Sequence, residues 1–187
     1  MPFSVFFDAC VLHPAYLSDT LLRMADAQMF RPLWSAGVLS ELRGSLVRRD
    51  IPPDSVDRRI SQMKFAFPDA MVTGYESLIS GMENDPKDRH VLAAAVRSGA
   101  EVLVTFNVRD FPEHALKSYD LIAVTPDDFL LDQLDLYPGL TISTLHRQAA
   151  AYRRDPRSVT GLLSVLERTG TRVFAAEVRR HLDSAGS

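Results

Sequence analysis

Short apolar runs alternate with stretches of helical periodicity along the first two thirds of the chain, and this alternation constrains the fold more than any other feature. FSVFF (3–7) is a continuous apolar run of the kind buried on both faces of a parallel sheet. FRPLW (30–34), MVT (71–73), EVLVTF (101–106) and LIAVT (121–125) are further strand candidates, EVLVTF the clearest. Pro32 has no N–H to give a ladder, which places FRPLW at an edge. Between these runs lie helical patterns. One opens at His13-Pro14 with Leu17, Leu21, Leu22, Met24 and Ala25 at helical spacing, and another covers 36–49 behind Ser35 as N-cap. A third starts at Pro53 and reaches about Phe65, a fourth covers 86–98 before Gly99, and a fifth begins at Pro126. Strands alternating with helices predict an α/β fold of three α/β/α layers around a central parallel sheet.

After residue 136 the pattern is purely helical, over 138–153, 158–169 and 171–184. Residues 1–136 are therefore expected to form the sheet domain and 137–187 a small C-terminal helical extension, since some 50 residues make a meagre core alone. No run approaches the roughly 18 apolar residues of a membrane span, so no membrane partner is expected. MPFSVFFDAC lacks a basic leader, and Cys10 is the only cysteine, which together predict a cytoplasmic protein without a disulfide. The net charge of −3 hides an asymmetry: residues 146–187 carry eight Arg against four acids, leaving −7 on the first 145. That basic stretch reads either as a solvated helical surface or as a face for phosphates or an acidic partner.

Four acids sit where separate segments should meet at one sheet edge. Asp8 ends the first strand, Glu41 lies within the 36–49 helix, Asp88 stands near the head of the 86–98 helix, and Asp110 follows the best strand. In open α/β sheets ligands bind beyond the carboxyl ends of the strands, where strand order reverses. Each acid also has a plainer reading. Asp8 could cap a helix, Glu41 could face solvent beside Arg43 or Arg48, Asp85 and Asp88 make good capping chemistry around Pro86, and Asn107 and Asp110 suit a turn. Taken together they point elsewhere, because gathered carboxylates repel one another and a divalent cation removes the repulsion. Asp88 heads the apolar stripe of Val91, Leu92 and Ala95, so it faces the sheet, with Asp85 as cap or supporting residue. Thr105 could orient a carboxylate, and Asn107 could offer a neutral oxygen.

These segments resemble PIN-domain ribonucleases of the kind found as toxins in VapBC toxin–antitoxin pairs. The resemblance rests on VFFDACVL, WSAGVLSELRGSL, DPKDRHVLAAAVRSGAEVLVTFNVRDFP and AVTPDDFL, in the family's order over roughly residues 3–135. It implies a metal-dependent endoribonuclease with Asp8, Glu41 and Asp88 as its acidic core and Asn107 or Asp110 completing the site. It also implies Mg²⁺ (or Mn²⁺) as the cofactor, RNA as the substrate, a cognate antitoxin that covers the acidic cleft, and a homodimer as the common assembly. Arg43, Arg48, Arg109 and His90 flank the acids and could hold RNA backbone or be plain surface cations.

Two other strand-end acid chemistries fail on residues. A haloacid-dehalogenase site needs a second Asp two residues after the first, where this chain has Cys10. A response-regulator receiver needs a Lys after a late strand, whereas Lys117 precedes LIAVT. A rival of a different class is a catalytically silent PIN-like module that binds RNA or protein.

Overall fold

The computed structural model describes residues 3–185. Five short parallel strands form one sheet: β1 (Ser4–Phe7), β2 (Arg31–Ser35), β3 (Met71–Val72), β4 (Val102–Val104) and β5 (Ile122–Val124). Their order is β3-β2-β1-β4-β5, so the chain first winds outward from β1 in one direction and then in the other. The reversal falls between β1 and β4, where Phe7 pairs with Val104. Each strand is too short to bury much by itself, and β1 therefore carries the densest apolar content, with Val5, Phe6 and Phe7 fully buried. Phe30 stacks in tilted geometry against both Phe3 and Phe7.

The α/β class and all five strand positions are as the apolar runs predict. The proline rule places FRPLW at an edge; the structure instead puts β2 between β1 and β3. Pro32 is accommodated because β3 pairs only with Trp34 and Ser35. On its other side Pro32 sits beside Val5 of β1. The missing N–H thus faces no partner strand.

The helices are α1 (Ala9–Leu12), α2 (Ala15–Asp26), α3 (Ala36–Val47), α4 (Pro53–Ala66), α5 (Arg89–Ser98), α6 (Glu113–Leu116), α7 (Pro126–Leu136), α8 (Pro138–Ala151), α9 (Val159–Arg168) and α10 (Arg172–Ala185). Ser35 caps α3 by accepting the Val38 N–H at 3.2 Å. Gly99 ends α5 in the left-handed conformation, φ 65°, which costs glycine nothing. Pro86–Asp88 form a tight turn ahead of α5 rather than its first turn. Asp85 accepts the Lys87 N–H there, so it caps the turn.

The chain divides into two compact units. The sheet unit comprises the residues up to His13 together with Phe30–Val124. The helical unit comprises Pro14–Met29 together with the chain from Thr125 onward. The expected division after residue 136 follows chain order, whereas this grouping follows packing and takes in α2 and α7. Within the helical unit a polar network ties α2 to α8. Gln148 accepts from Thr20 Oγ1 at 2.9 Å and donates to Tyr152 Oη at 2.9 Å, and Tyr152 donates to Asp19 at 2.5 Å. Asp127 accepts the Val173 and Phe174 N–H groups at 3.1 and 2.8 Å, capping α10 from another helix. Among the described residues no helix is long and apolar enough to cross a membrane.

Candidate functional site

Asp8 leaves β1 at its carboxyl end, with its N–H donating to Val104 O of β4 at 3.1 Å. It is only 5% exposed and does not cap α1 with its side chain. Its Oδ2 accepts two hydrogen bonds instead: from Thr105 Oγ1 at 2.7 Å and from the Cys10 thiol at 3.2 Å. Thr105 is fully buried behind it, and the Asn107 N–H donates to the same threonine oxygen at 3.0 Å. A buried carboxylate is costly unless it is hydrogen-bonded, and this one is held by two donors with its remaining oxygen unclaimed by either. Cys10 is no nucleophile. Burial first, and then the Asp8 charge, push its thiol up to about 12.

Asp8 opens onto a cleft of about 680 Å³. Glu41 of α3, Asp88 from the turn before α5, and Asn107 after β4 line the same cleft. Four segments therefore present oxygens to one space, at the point where strand order reverses. Asp88 responds to that company. Its carboxyl is pushed up to about 6, chiefly by burial and next by the Asp8 charge, with Asp110 and Asp85 adding to the effect and Lys87 opposing it.

Glu41 is half-exposed and hydrogen-bonded to His90 Nε2 at 2.7 Å. That bond, more than the neighbouring charges, raises the imidazole pKa against the opposing effect of burial. The approach of α5 to α3 that brings the two side chains together depends on Gly37. A Cβ there would lie 3.0 Å from His90 Nδ1 and 3.2 Å from Tyr75 Oη. Among the described residues no group of three or more His, Cys, Asp or Glu side chains is drawn together tightly enough to hold a metal by itself.

The remaining residues singled out from the sequence divide by position. Arg48 lines the cleft with the acids. Asp110 is not among its lining residues; its carboxylate lies 4.0 Å from Lys87 Nζ, which also lies 3.8 Å from Asp85. Its backbone C=O accepts the Asp85 N–H at 3.2 Å, tying the two acidic turns together. Arg43 forms a two-pronged pair with Asp57 of α4, at 2.6 and 3.0 Å, away from the cleft. Arg109 is exposed on the turn after β4. Arg49 and His13 are among the lining residues that the sequence did not mark as functional. Arg49 stands eight positions after Glu41 and adjacent to Arg48, a spacing that offers the only hint; His13 carries no signal beyond its closeness to Asp8.

A parallel sheet with carboxylates gathered where its strand order reverses defines the class of protein. The family model described as PIN domain matches residues 4–109, more than half of the chain, and the chain belongs to the PIN-domain family. The resemblance carried by the acidic segments is borne out. A second family model, described as VapC50 C-terminal domain, matches residues 126–180. A Mycobacterium tuberculosis (strain ATCC 25618 / H37Rv) protein named "Putative ribonuclease VapC50" is 50% identical over 113 residues. The match covers 59% of this chain and 65% of that relative, so it spans just under two thirds of the relative's length. No solved structure matches the chain.

Proposed function

We propose that this protein is a metal-dependent endoribonuclease that hydrolyses RNA phosphodiester bonds as the toxin of a type II toxin–antitoxin pair. One observation carries the reading. Asp8 and Asp88 share a cleft in which burial and mutual repulsion lift the Asp88 carboxyl to about 6. Charges arranged at such cost call for a cation. The relative's printed name, a ribonuclease, and the PIN-domain match support the same conclusion.

The donor set fits a hard divalent ion. Asp8, Asp88 and Glu41 offer carboxylate oxygens and Asn107 a neutral one, with no thiolate or cluster of imidazoles that would favour a softer metal. The spread of the acids fits Mg²⁺ or Mn²⁺, which keep several waters and need only one or two carboxylates directly. When bound, such an ion offsets negative charge at the scissile phosphate and lowers the pKa of water. The residues of the chain do the positioning. Thr105 fixes the Asp8 carboxylate by donating to one of its oxygens. His90 holds Glu41 at the cleft wall. Asn107 occupies the fourth position in the cleft, while Asp110 acts at longer range through its charge on Asp88 and its hold on Lys87. Products would end in a 5′-phosphate and a 3′-hydroxyl, and a cognate antitoxin would silence the enzyme by covering the acids, with an arginine as the natural plug.

The test is metal removal. Purified protein incubated with total RNA and Mg²⁺ or Mn²⁺ should make discrete cuts; EDTA should abolish them and excess metal restore them. The absence of a tight acidic cage among the described residues favours one rival, a silent binding module. RNA that stays intact under every metal condition, yet is retained by the protein, would establish that rival instead.

A further inference from the structure

The acids occupy only part of the cleft. Arg48 and Arg49, just past the end of α3, line it together with His13. We propose that Arg48 and Arg49, walled by His13, form a phosphate subsite that seats an RNA backbone phosphate next to the one held at the acids. This inference rests on the nuclease reading and adds a binding site to it.

Three observations point to an anionic ligand. Among the described residues neither arginine has a carboxylate within ion-pair distance, whereas Arg43 within α3 is fully engaged by Asp57. Secondly, a glycine inside a helix weakens it, so Gly44, in the last turn of α3, needs a reason. A Cβ at position 44 would lie 3.2 Å from Arg48 Nη1, so the bare backbone leaves room for the guanidinium along the cleft wall. Thirdly, the His13 ring is made less basic, first by burial and then by the charges of Arg49 and Arg59, which marks a positive field at this end. Arg59 itself is occupied, donating to the carbonyls of Leu12 and His13, and it anchors the segment that carries the ring.

A guanidinium offers phosphate a planar fork of donors, and the neighbouring Ser40 and Ser45 add hydroxyls to the same wall. The need is electrostatic. A polyanion approaching Asp8, Glu41 and Asp88 is repelled, and two cations in the same cleft offset that repulsion and fix the register of the strand. An acidic protein segment could use the same charges. RNA is favoured because the acids and the arginines then act on successive parts of one chain.

The experiment measures binding of a labelled single-stranded RNA to Asp8→Asn/Asp88→Asn protein, which removes cleavage and much of the repulsion. Adding Arg48→Ala and Arg49→Ala should weaken binding at least tenfold for every sequence tried. The slope of log K against log salt should become shallower by about 0.7, the change for one single-strand phosphate that the protein no longer neutralises. Arg43→Ala should change neither quantity. Gly44→Ala, which favours the helix, should raise the melting temperature while weakening RNA binding a few-fold, because Arg48 must shift by a few tenths of an ångström. Equal affinity and slope with and without the two arginines would overturn the subsite alone. Unchanged RNA binding with reduced affinity for polyglutamate would also overturn it and identify an acidic protein as the occupant. Wild-type protein that neither binds nor cuts RNA would overturn the nuclease reading, and the subsite with it.

Discussion

Asp88 shows how a single carboxyl records its neighbours. Its pKa is raised from 3.8 to about 6, so the folded protein holds this proton more tightly than the unfolded chain does. The group therefore favours folding below the unfolded value near 4, and that contribution is lost as pH rises through about 6. Full conversion of the shift would give about 3 kcal/mol, but the group is partly solvated and screening reduces this to about 1 kcal/mol. Asp88→Asn should thus stabilise the metal-free protein by about 1 kcal/mol at pH 7.5 and by nothing near pH 4. Thermal melts in EDTA at the two pH values check this, and an equal shift at both would contradict it. Thr105 is the complementary case. Thr105→Val keeps the volume but leaves buried Asp8 short of a donor, at a cost of about 1–3 kcal/mol. Urea denaturation at neutral pH reads that loss, and it should come with weaker cleavage.

At the scale of elements, the strands were the most legible part of the chain because short apolar runs bounded by turns are unambiguous once five of them alternate with helices. The acids at strand ends followed from the same pattern, since topology places those ends together. Three features were hidden. One was the internal position of β2, which depends on how short β3 is and cannot be read from Pro32. Another was the split at the head of the fourth helical pattern, where Asp85 caps a separate tight turn. The last was the His90–Glu41 bond, which joins residues 49 positions apart. Gly37 stands one turn before Glu41 in the chain, but nothing in the sequence shows the ring that it makes room for. Gly37→Ala favours the α3 helix by up to about 1 kcal/mol and crowds His90 by a few tenths of an ångström. Cleavage should fall several-fold without a drop in melting temperature. Parallel losses of both would mean that Gly37 serves packing alone.

Considered whole, the molecule separates its charges along the chain, −7 over the first 145 residues and +4 over the remainder. The acidic part includes the cleft, so on the proposed reading an RNA substrate would meet repulsion that a cation and the cleft arginines would offset. The helical unit is a compact unit of its own, tied by a Thr20–Gln148–Tyr152–Asp19 network of which Thr20 and Gln148 are buried. Tyr152→Phe removes one hydroxyl from that network and with it two hydrogen bonds, leaving Gln148 to donate to Tyr16 O alone and Asp19 to accept from Arg23 alone. It should destabilise the protein by about 1–2 kcal/mol in urea while leaving the metal requirement of cleavage untouched. A changed metal requirement would contradict that independence. The grouping of α2 with the late helices could not be seen in the sequence, because Gln148 and Tyr152 reach back across more than a hundred residues to find Thr20 and Asp19.

On the proposed reading, Asp8 and Asp88 act together on RNA through a shared cation. The most direct test compares cleavage of one single-stranded RNA by wild type, Asp8→Asn and Asp88→Asn at the same Mg²⁺ concentration. Each variant should fold and lose at least a hundredfold (about 3 kcal/mol) in rate. Variants that fold and cut as fast as wild type would contradict it.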